Sequence, residues 1–387
     1  MTTDRRRLLQ TLTAAPLLSL GGCVGGRLSG GGPLPEEVRG GIDAVLSRHA
    51  IVTAGIGVVR NGDLVGEHYF GEQQPGVAAG PQTRFNVASV TKTVTAETVL
   101  RLVGQGRLDL DEPMAPWWTD PQIADDPRHA LLTPRMALNH STGLPNWRFF
   151  LPGGRLAFVA DPGQTYTYSG EGMQYVARYA AAKLGRTFPD LVRETTLAPL
   201  GMDDTAIVVD RTRMETIARS RDAAGQVYEP WCRVESEGGC RPQGSWAAAD
   251  DMVTTVRDYA RFLRGLMDST GYGPAVTADR NRVQTDKGDQ AVLDCAANPE
   301  LTCPVRQGYG LGFNVLDYGN EIVLGHGGAD WSELALVYGA CMARSGLVVF
   351  LNAPNARALA AMPEVLSRVD PTCPFLPEYR RWYAESL

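Results

Sequence analysis

Apolar positions Val38, Ile42, Val45 and Leu46 recur at helical spacing and predict a helix over residues 35–50. Two runs of alternating, β-rich character follow at residues 55–60 and 64–70, joined by Asn61-Gly62-Asp63. Asn-Gly between such runs predicts a hairpin, because the tight turn needs positive φ. Near the other end, short Gly-punctuated runs at 309–315, 321–324, 334–338 and 347–351 predict strands, and 356–368 predicts a helix. The economical architecture is α/β of the α+β type: a mostly antiparallel sheet formed by both chain ends and flanked by helices. Between the ends, from about 109 to 306, helical stretches at 172–184 and 250–267 alternate with Pro- and Gly-rich loops. This predicts an inserted, mostly helical subdomain within one domain over residues 35–370, with 371–387 as a C-terminal tail.

The first residues read as a targeting segment rather than as part of the fold. Arg5-Arg6-Arg7 gives a basic start resembling a twin-arginine signal, and an apolar run continues to Leu20. At roughly 13 residues the run is shorter than the ~20 that a membrane-spanning helix needs. It ends in Leu20-Gly21-Gly22-Cys23, similar to a bacterial lipobox, so residues 1–23 are expected to be a signal peptide with Cys23 as the lipidated residue. Gly-rich residues 24–34 then form a tether. An exported, periplasmic or cell-envelope lipoprotein is expected, touching membrane only through the lipid.

Composition narrows this picture. Hydrophobic residues make up 44% and charged residues 21% of 387, ordinary for a globular domain, and the net charge of -6 excludes a basic nucleic-acid binder. Only three lysines occur, Lys92, Lys183 and Lys287, which makes a chance Ser-x-x-Lys less frequent. Beyond Cys23 six cysteines remain, an even number suited to disulfides in an oxidising compartment. Fifteen connectivities exist; pairing by proximity predicts Cys232–Cys240, Cys295–Cys303 and Cys341–Cys373. No Cys-x-x-Cys occurs, so no metal site is expected.

Three stretches carry candidate chemistry. In Val87-Ala88-Ser89-Val90-Thr91-Lys92 a serine opening a helix and a lysine three residues on share one helical face. Serine needs such a partner, being a poor nucleophile alone, and its N–H at a helix start can hold an oxyanion. In Thr167-Tyr168-Ser169-Gly170, Tyr168 precedes a helix, where a nearby lysine cation would lower a phenol of ordinary pKa near 10. The third stretch, Gly325-His326-Gly327-Gly328-Ala329, follows a strand; its glycines are expected to let a substrate backbone lie near the sheet edge, and Ala329 to supply a second oxyanion N–H.

In this order and spacing the three stretches resemble the serine β-lactamase-like superfamily: class C β-lactamases, D-Ala-D-Ala carboxypeptidases and family VIII esterases. Gly106-Arg107-Leu108-Asp109, Asn139-His140-Ser141-Thr142-Gly143-Leu144-Pro145 and Tyr309-Gly310-Leu311-Gly312-Phe313 support the likeness. Ser-x-x-Lys is itself a signature of penicillin-recognising enzymes. The resemblance implies Ser89 as nucleophile, Lys92 and Tyr168 as the proton-transfer pair, and His326, Gly327, Gly328 and Ala329 as the substrate-binding and oxyanion edge. It implies no cofactor. The implied substrates are small esters, amides, β-lactams or peptidoglycan peptides.

Two departures from the family pattern bear on specificity. The second motif usually reads Tyr-x-Asn, and here Gly170 stands in the third place, so the amide contact is lost unless Glu171 or another side chain replaces it. His326 stands where many β-lactamases carry lysine; a histidine is largely neutral at pH 7 and attracts a substrate carboxylate less. Both changes favour esters or D-amino-acid peptides, with slow β-lactam turnover beside them. His140 suggests a Ser-His-Asp triad, but the matching family segment is a structural loop. Without a Gly-x-Ser-x-Gly elbow an α/β-hydrolase is disfavoured. The alternatives are a non-catalytic penicillin-recognising or peptidoglycan-binding lipoprotein, and an acyltransferase.

Overall fold

The computed structural model describes residues 34–222, 224–232 and 240–387. The signal segment, Cys23 and nearly all of the Gly-rich tether lie outside the described residues.

Helix α1 (Glu36–Arg48) leads into β1 (Thr53–Arg60) and β2 (Asp63–Gln74), the predicted hairpin, with Asn61 and Gly62 both at positive φ; the two-residue β3 (Val77–Ala78) extends its edge. The other half of the sheet comes from the C-terminal third: β4 (Arg306–Tyr309), β5 (Asn314–Asp317), β6 (Ile322–Ala329), β7 (Glu333–Ala340) and β8 (Ser345–Asn352). The strands order as β3-β2-β1-β8-β7-β6-β5-β4, every neighbouring pair antiparallel. First and last strands meet in the register Ile56↔Val349, so both ends of the chain close one sheet.

Period-two alternation sends side chains to two cores. Val337, Val348 and Phe350 join one cluster, with the helices of the insertion; Leu336, Leu347 and Val349 join the other, with α1 and α5 (Asn355–Val369). The first core surrounds α2 (Thr91–Gly104), which is buried from Thr91 to Leu102 on every side. Some of its threonines satisfy themselves locally, Thr91 Oγ1 donating to Ala88 O at 2.6 Å and Thr93 Oγ1 to Val90 O at 2.7 Å, while Thr95 Oγ1 donates to Ala248 O at 2.6 Å. Further insertion helices are α3 (Gly170–Leu184) and α4 (Val256–Met267), the latter capped by Thr255, whose Oγ1 accepts the Asp258 N–H at 3.1 Å.

Three expectations need correction. Residues 309–315 are not one strand: Tyr309 pairs Asn314 across a turn at 310–313, and Gly312 at φ +90° sets that turn against Ala96 of α2. Leu311 and Phe313 are buried there, so a turn sunk in the core imitates strand alternation. The helix expected from residue 250 begins at Val256, because Val253–Thr254 is consumed in pairing with Phe85–Asn86. Residues 371–387, expected as a tail, contain a helix, α6 (Leu376–Glu385), whose Tyr379 is fully buried.

Cys232–Cys240 and Cys295–Cys303 are disulfides, whereas Cys341 and Cys373 are free and buried. That third pairing is corrected for a topological reason: Cys341 packs in the core on one face of the sheet and Cys373 in the core on the other. Among the described residues no helix is long and apolar enough to cross a membrane.

Candidate active site

The chain enters α2 through a single 3-10 turn, Ala88–Val90. Ala88 sits at φ +45°, unusual for a residue with a side chain, and its N–H donates to Asn86 Oδ1 at 3.0 Å. Such backbone stores about 1–3 kcal/mol and persists only when its surroundings enforce it. The strained residue immediately precedes Ser89, which is half-buried.

Lys92, one turn along, is fully buried, and its Nζ donates to Ser89 Oγ at 2.8 Å and to Ala249 O at 3.0 Å. The same Nζ lies 4.8 Å from the centre of the Tyr168 ring. The three residues singled out from sequence therefore converge. Tyr168 approaches from the loop ahead of α3, where Ser169 caps the helix by accepting the Gly172 N–H at 2.8 Å.

Strand β6 forms the facing edge. Asp330 N donates to Glu333 O at 3.0 Å, which fixes the alternation of the β6–β7 ladder: residues 328 and 330 bond to β7 while Ala329 turns its N–H away from it. β5 pairs β6 only as far as Gly325, so the Ala329 N–H faces an open edge beside Ser89. With the Ser89 N–H at the turn start, two backbone donors flank the hydroxyl. Ser89, Tyr168, His326, Gly327, Gly328 and Ala329 all line one cavity of about 550 Å³.

The β6 glycines have a packing role that the sequence did not announce. A Cβ on Gly328 would lie 2.2 Å from Val87 O, one on Gly325 2.3 Å from the Phe375 ring, and one on Gly327 2.9 Å from the Tyr379 hydroxyl. The strip admits the nucleophile turn on one side and the C-terminal segment on the other, while Gly327, Gly328 and Ala329 also line the cavity.

His326 is locked. Its Nδ1 lies 2.5 Å from Gly327 O, a carbonyl that can only accept, so this nitrogen carries the proton and Nε2 accepts from the Tyr309 hydroxyl at 3.0 Å. Burial, then the nearby Lys92 charge, lowers its pKa to about 3. It supplies no cation to the site. His140 is also buried and neutral, held well below the usual imidazole range by burial and then by Lys92. Its Nδ1 accepts the Ser169 N–H at 3.2 Å, and its ring lies 4.5 Å from those of Tyr168 and Tyr309. It backs the tyrosine.

The motif glycine at 170 has a spatial cause. A Cβ there would meet the Trp147 ring at 2.8 Å. Glu171 does not replace the missing amide, being paired with Arg148, whose Nη2 lies 2.7 Å from Oε2. Asn146, overlooked in sequence, lines the cavity and accepts the Gly170 N–H on Oδ1 at 3.1 Å. Asp250, next to the carbonyl that anchors Lys92, was also overlooked; burial and then Asp330 push its carboxyl well above the usual range, while Lys92 opposes them. Neither has a local signature, since each acquires its neighbours by tertiary folding.

Comparison with known proteins agrees with this geometry. Penicillin-binding protein 4 of Amycolatopsis lactamdurans is 26% identical over 315 residues, 76% of this chain and 78% of that protein. Esterase EstB of Burkholderia gladioli is 35% identical over 109 residues, only 27% of this chain and 28% of the esterase. The solved D-amino acid amidase of Ochrobactrum anthropi has the same fold, with a TM-score of 0.63 at 22% identity, over 86% of this chain and 99% of the amidase. The beta-lactamase family model matches residues 38–365, from α1 to within α5, and the chain therefore belongs to the beta-lactamase family.

Proposed function

We propose that this protein is a serine hydrolase that forms an acyl-enzyme on Ser89 from carboxylic esters or D-amino-acid amide and peptide bonds, with β-lactams as slow substrates. The observation that carries the reading is the 2.8 Å contact between the fully buried Lys92 Nζ and the Ser89 hydroxyl. A solvent-facing serine has no use for a fully buried amine; a nucleophile does. The esterase and amidase likenesses support the substrate classes in general terms, and a neutral, locked His326 supports neutral acyl compounds over carboxylate-bearing β-lactams.

In the proposed reaction the Lys92–Tyr168 pair takes the Ser89 proton as Oγ attacks the carbonyl carbon. The new oxyanion accepts hydrogen bonds from the Ser89 and Ala329 N–H groups. Tyr168 returns the proton to the departing alcohol or amine, and the carbon–leaving-group bond breaks. A water then enters, gives a proton to Tyr168 and attacks the ester on Ser89; Tyr168 passes that proton to Ser89 Oγ as the acyl–Oγ bond breaks and the acid is released. Two disulfides among the described residues support the further proposal of an exported protein, since such bonds persist in oxidising compartments.

The test is hydrolysis of a short-chain p-nitrophenyl ester by wild type and Ser89→Ala. Turnover abolished in the variant supports the reading; equal rates in both remove Ser89 from the reaction.

A further inference from the structure

The family match ends at residue 365, yet the reaction cavity does not. Helix α6, beyond that limit, contributes Glu378, Arg381 and Trp382 to the wall, and the loop carrying Lys287 contributes to it as well. Phe375 and Tyr379 seat the helix on Gly325 and Gly327 of β6, so its place beside His326 is fixed by close contact. Tyr379 donates its hydroxyl to Ala335 O at 2.8 Å.

Glu378 stands out on this wall. It is only 4% exposed, lines the cavity, and among the described residues has no hydrogen bond and no ion pair. The cations around it are engaged elsewhere. Lys287 Nζ donates to Asn314 Oδ1 at 2.8 Å, and Arg381 Nη2 donates to Ala291 O at 2.9 Å while its Nε lies 4.0 Å from Glu385. The Glu378 carboxyl opens onto the cavity rather than onto a protein donor, and a ligand that brings one gains a charge-assisted hydrogen bond. Burial pushes this carboxyl up to about 7, with Lys287 and Arg381 pulling it back. Lys287 Nζ lies 5.9 Å from the Tyr166 ring, and Tyr166 and Tyr168 line the cavity together with Glu378, so this wall borders the tyrosine that protonates the leaving group.

We propose that Glu378 binds a protonated amino group carried by the leaving group, so that the favoured substrates are esters or amides whose departing alcohol, thiol or amine bears an ammonium. This rests on the acyl-enzyme reading above, through the assignment of Tyr168 to the leaving-group side. The hydrogen bond runs from the ammonium N–H to a carboxylate oxygen and no covalent step is added.

A matched pair of activated esters tests it: S-(2-dimethylaminoethyl) thioacetate, cationic at neutral pH, and its uncharged isostere S-(3-methylbutyl) thioacetate. The readout is the ratio of their kcat/KM values in wild type, Glu378→Gln and Glu378→Asp, followed by thiol release. Wild type should favour the cation by about ten- to a hundredfold, the span of a hydrogen bond to a charged group. Glu378→Gln should bring the ratio near one, and Glu378→Asp should recover part of it. A wild-type ratio near one, or a ratio unchanged in Glu378→Gln, overturns the proposal. Calorimetric titration of both thioesters into Ser89→Ala separates binding from chemistry. Tighter cation binding that disappears in Ser89→Ala/Glu378→Gln, with no turnover by wild type, would sink the hydrolase reading while upholding this one; turnover without any Glu378-dependent preference would do the reverse.

Discussion

Replacing Gly328 by alanine strikes the site where strand and nucleophile turn meet. The added Cβ would lie 2.2 Å from Val87 O, 3.2 Å from Val90 N and 3.3 Å from Ser89 N. All three are backbone atoms of the turn, so no flexible side chain can yield. Strand and turn must part by about 1 Å before the contact becomes ordinary. The parting separates the Ser89 N–H from the Ala329 N–H, the neighbour of the altered residue. Loss of one oxyanion donor costs about 10²–10³ in kcat, or ~2.7–4 kcal/mol, and a 1 Å misplacement alone about 10²-fold. Overpacking should destabilise the fold by only about 1–3 kcal/mol, leaving it folded. The assay is steady-state hydrolysis of p-nitrophenyl acetate beside a thermal melt, with Gly327→Ala as comparator. At Gly327 the nearest atom is the Tyr379 hydroxyl at 2.9 Å, a side-chain end that can move, so the loss should be smaller. A folded Gly328→Ala protein with kcat within about threefold of wild type would refute the two-donor arrangement.

Further expectations follow from the same geometry. Lys92→Ala should lower the acylation rate by about 10²–10⁴-fold, the contribution of positioned acid–base catalysis, in stopped-flow measurements; undiminished acylation would remove Lys92 from the proton-transfer pair. Tyr168→Phe keeps the ring against Lys92 and His140 and should lose a similar factor with little change in melting temperature, whereas wild-type turnover would remove the phenol from proton transfer. Thiol titration of denatured, unreduced protein beginning at Leu34 should count two reactive thiols, Cys341 and Cys373; a count of zero would restore the third disulfide. Glu333 accepts from Ser220 Oγ at 2.6 Å, and burial, then Asp330, pushes its pKa up to about 7. The folded state thus holds this proton more tightly than the unfolded one. The stability from Glu333 is full below pH 4.5 and fades as pH rises through 7, by up to about 1.4 kcal/mol per pH unit. Glu333→Gln should flatten urea-derived stability between pH 5 and 8, and an unchanged slope would contradict the assignment.

What could be read from sequence was local or repeated. The Asn61-Gly62 turn declares its hairpin because positive φ is a property of those residues themselves. Ser89 and Lys92 meet because one helical turn separates them, and Cys232–Cys240 and Cys295–Cys303 close over eight residues each. What escaped depends on which side of a sheet or helix faces which neighbour. Cys341 and Cys373 satisfied an even count yet face opposite cores. Leu311 and Phe313 kept strand alternation inside a turn, since burial in a turn and burial in a strand leave the same apolar letters. Helix α6 looked like a tail because its burial comes from glycines fifty residues earlier, and Glu378 has no motif to announce it. Gly170, conspicuous as a departure, becomes intelligible only once the Trp147 ring is seen in the space of its missing side chain.

The most direct measurement is intact-mass spectrometry of the protein after brief incubation with a panel of esters, D-Ala-D-Ala peptides and penicillins. A mass increase equal to the acyl part of at least one compound, mapped to Ser89 by peptide sequencing and missing from Ser89→Ala, is the predicted result. Turnover of any panel member with no adduct on Ser89, or an adduct of the same mass in Ser89→Ala, would contradict the acyl-enzyme account.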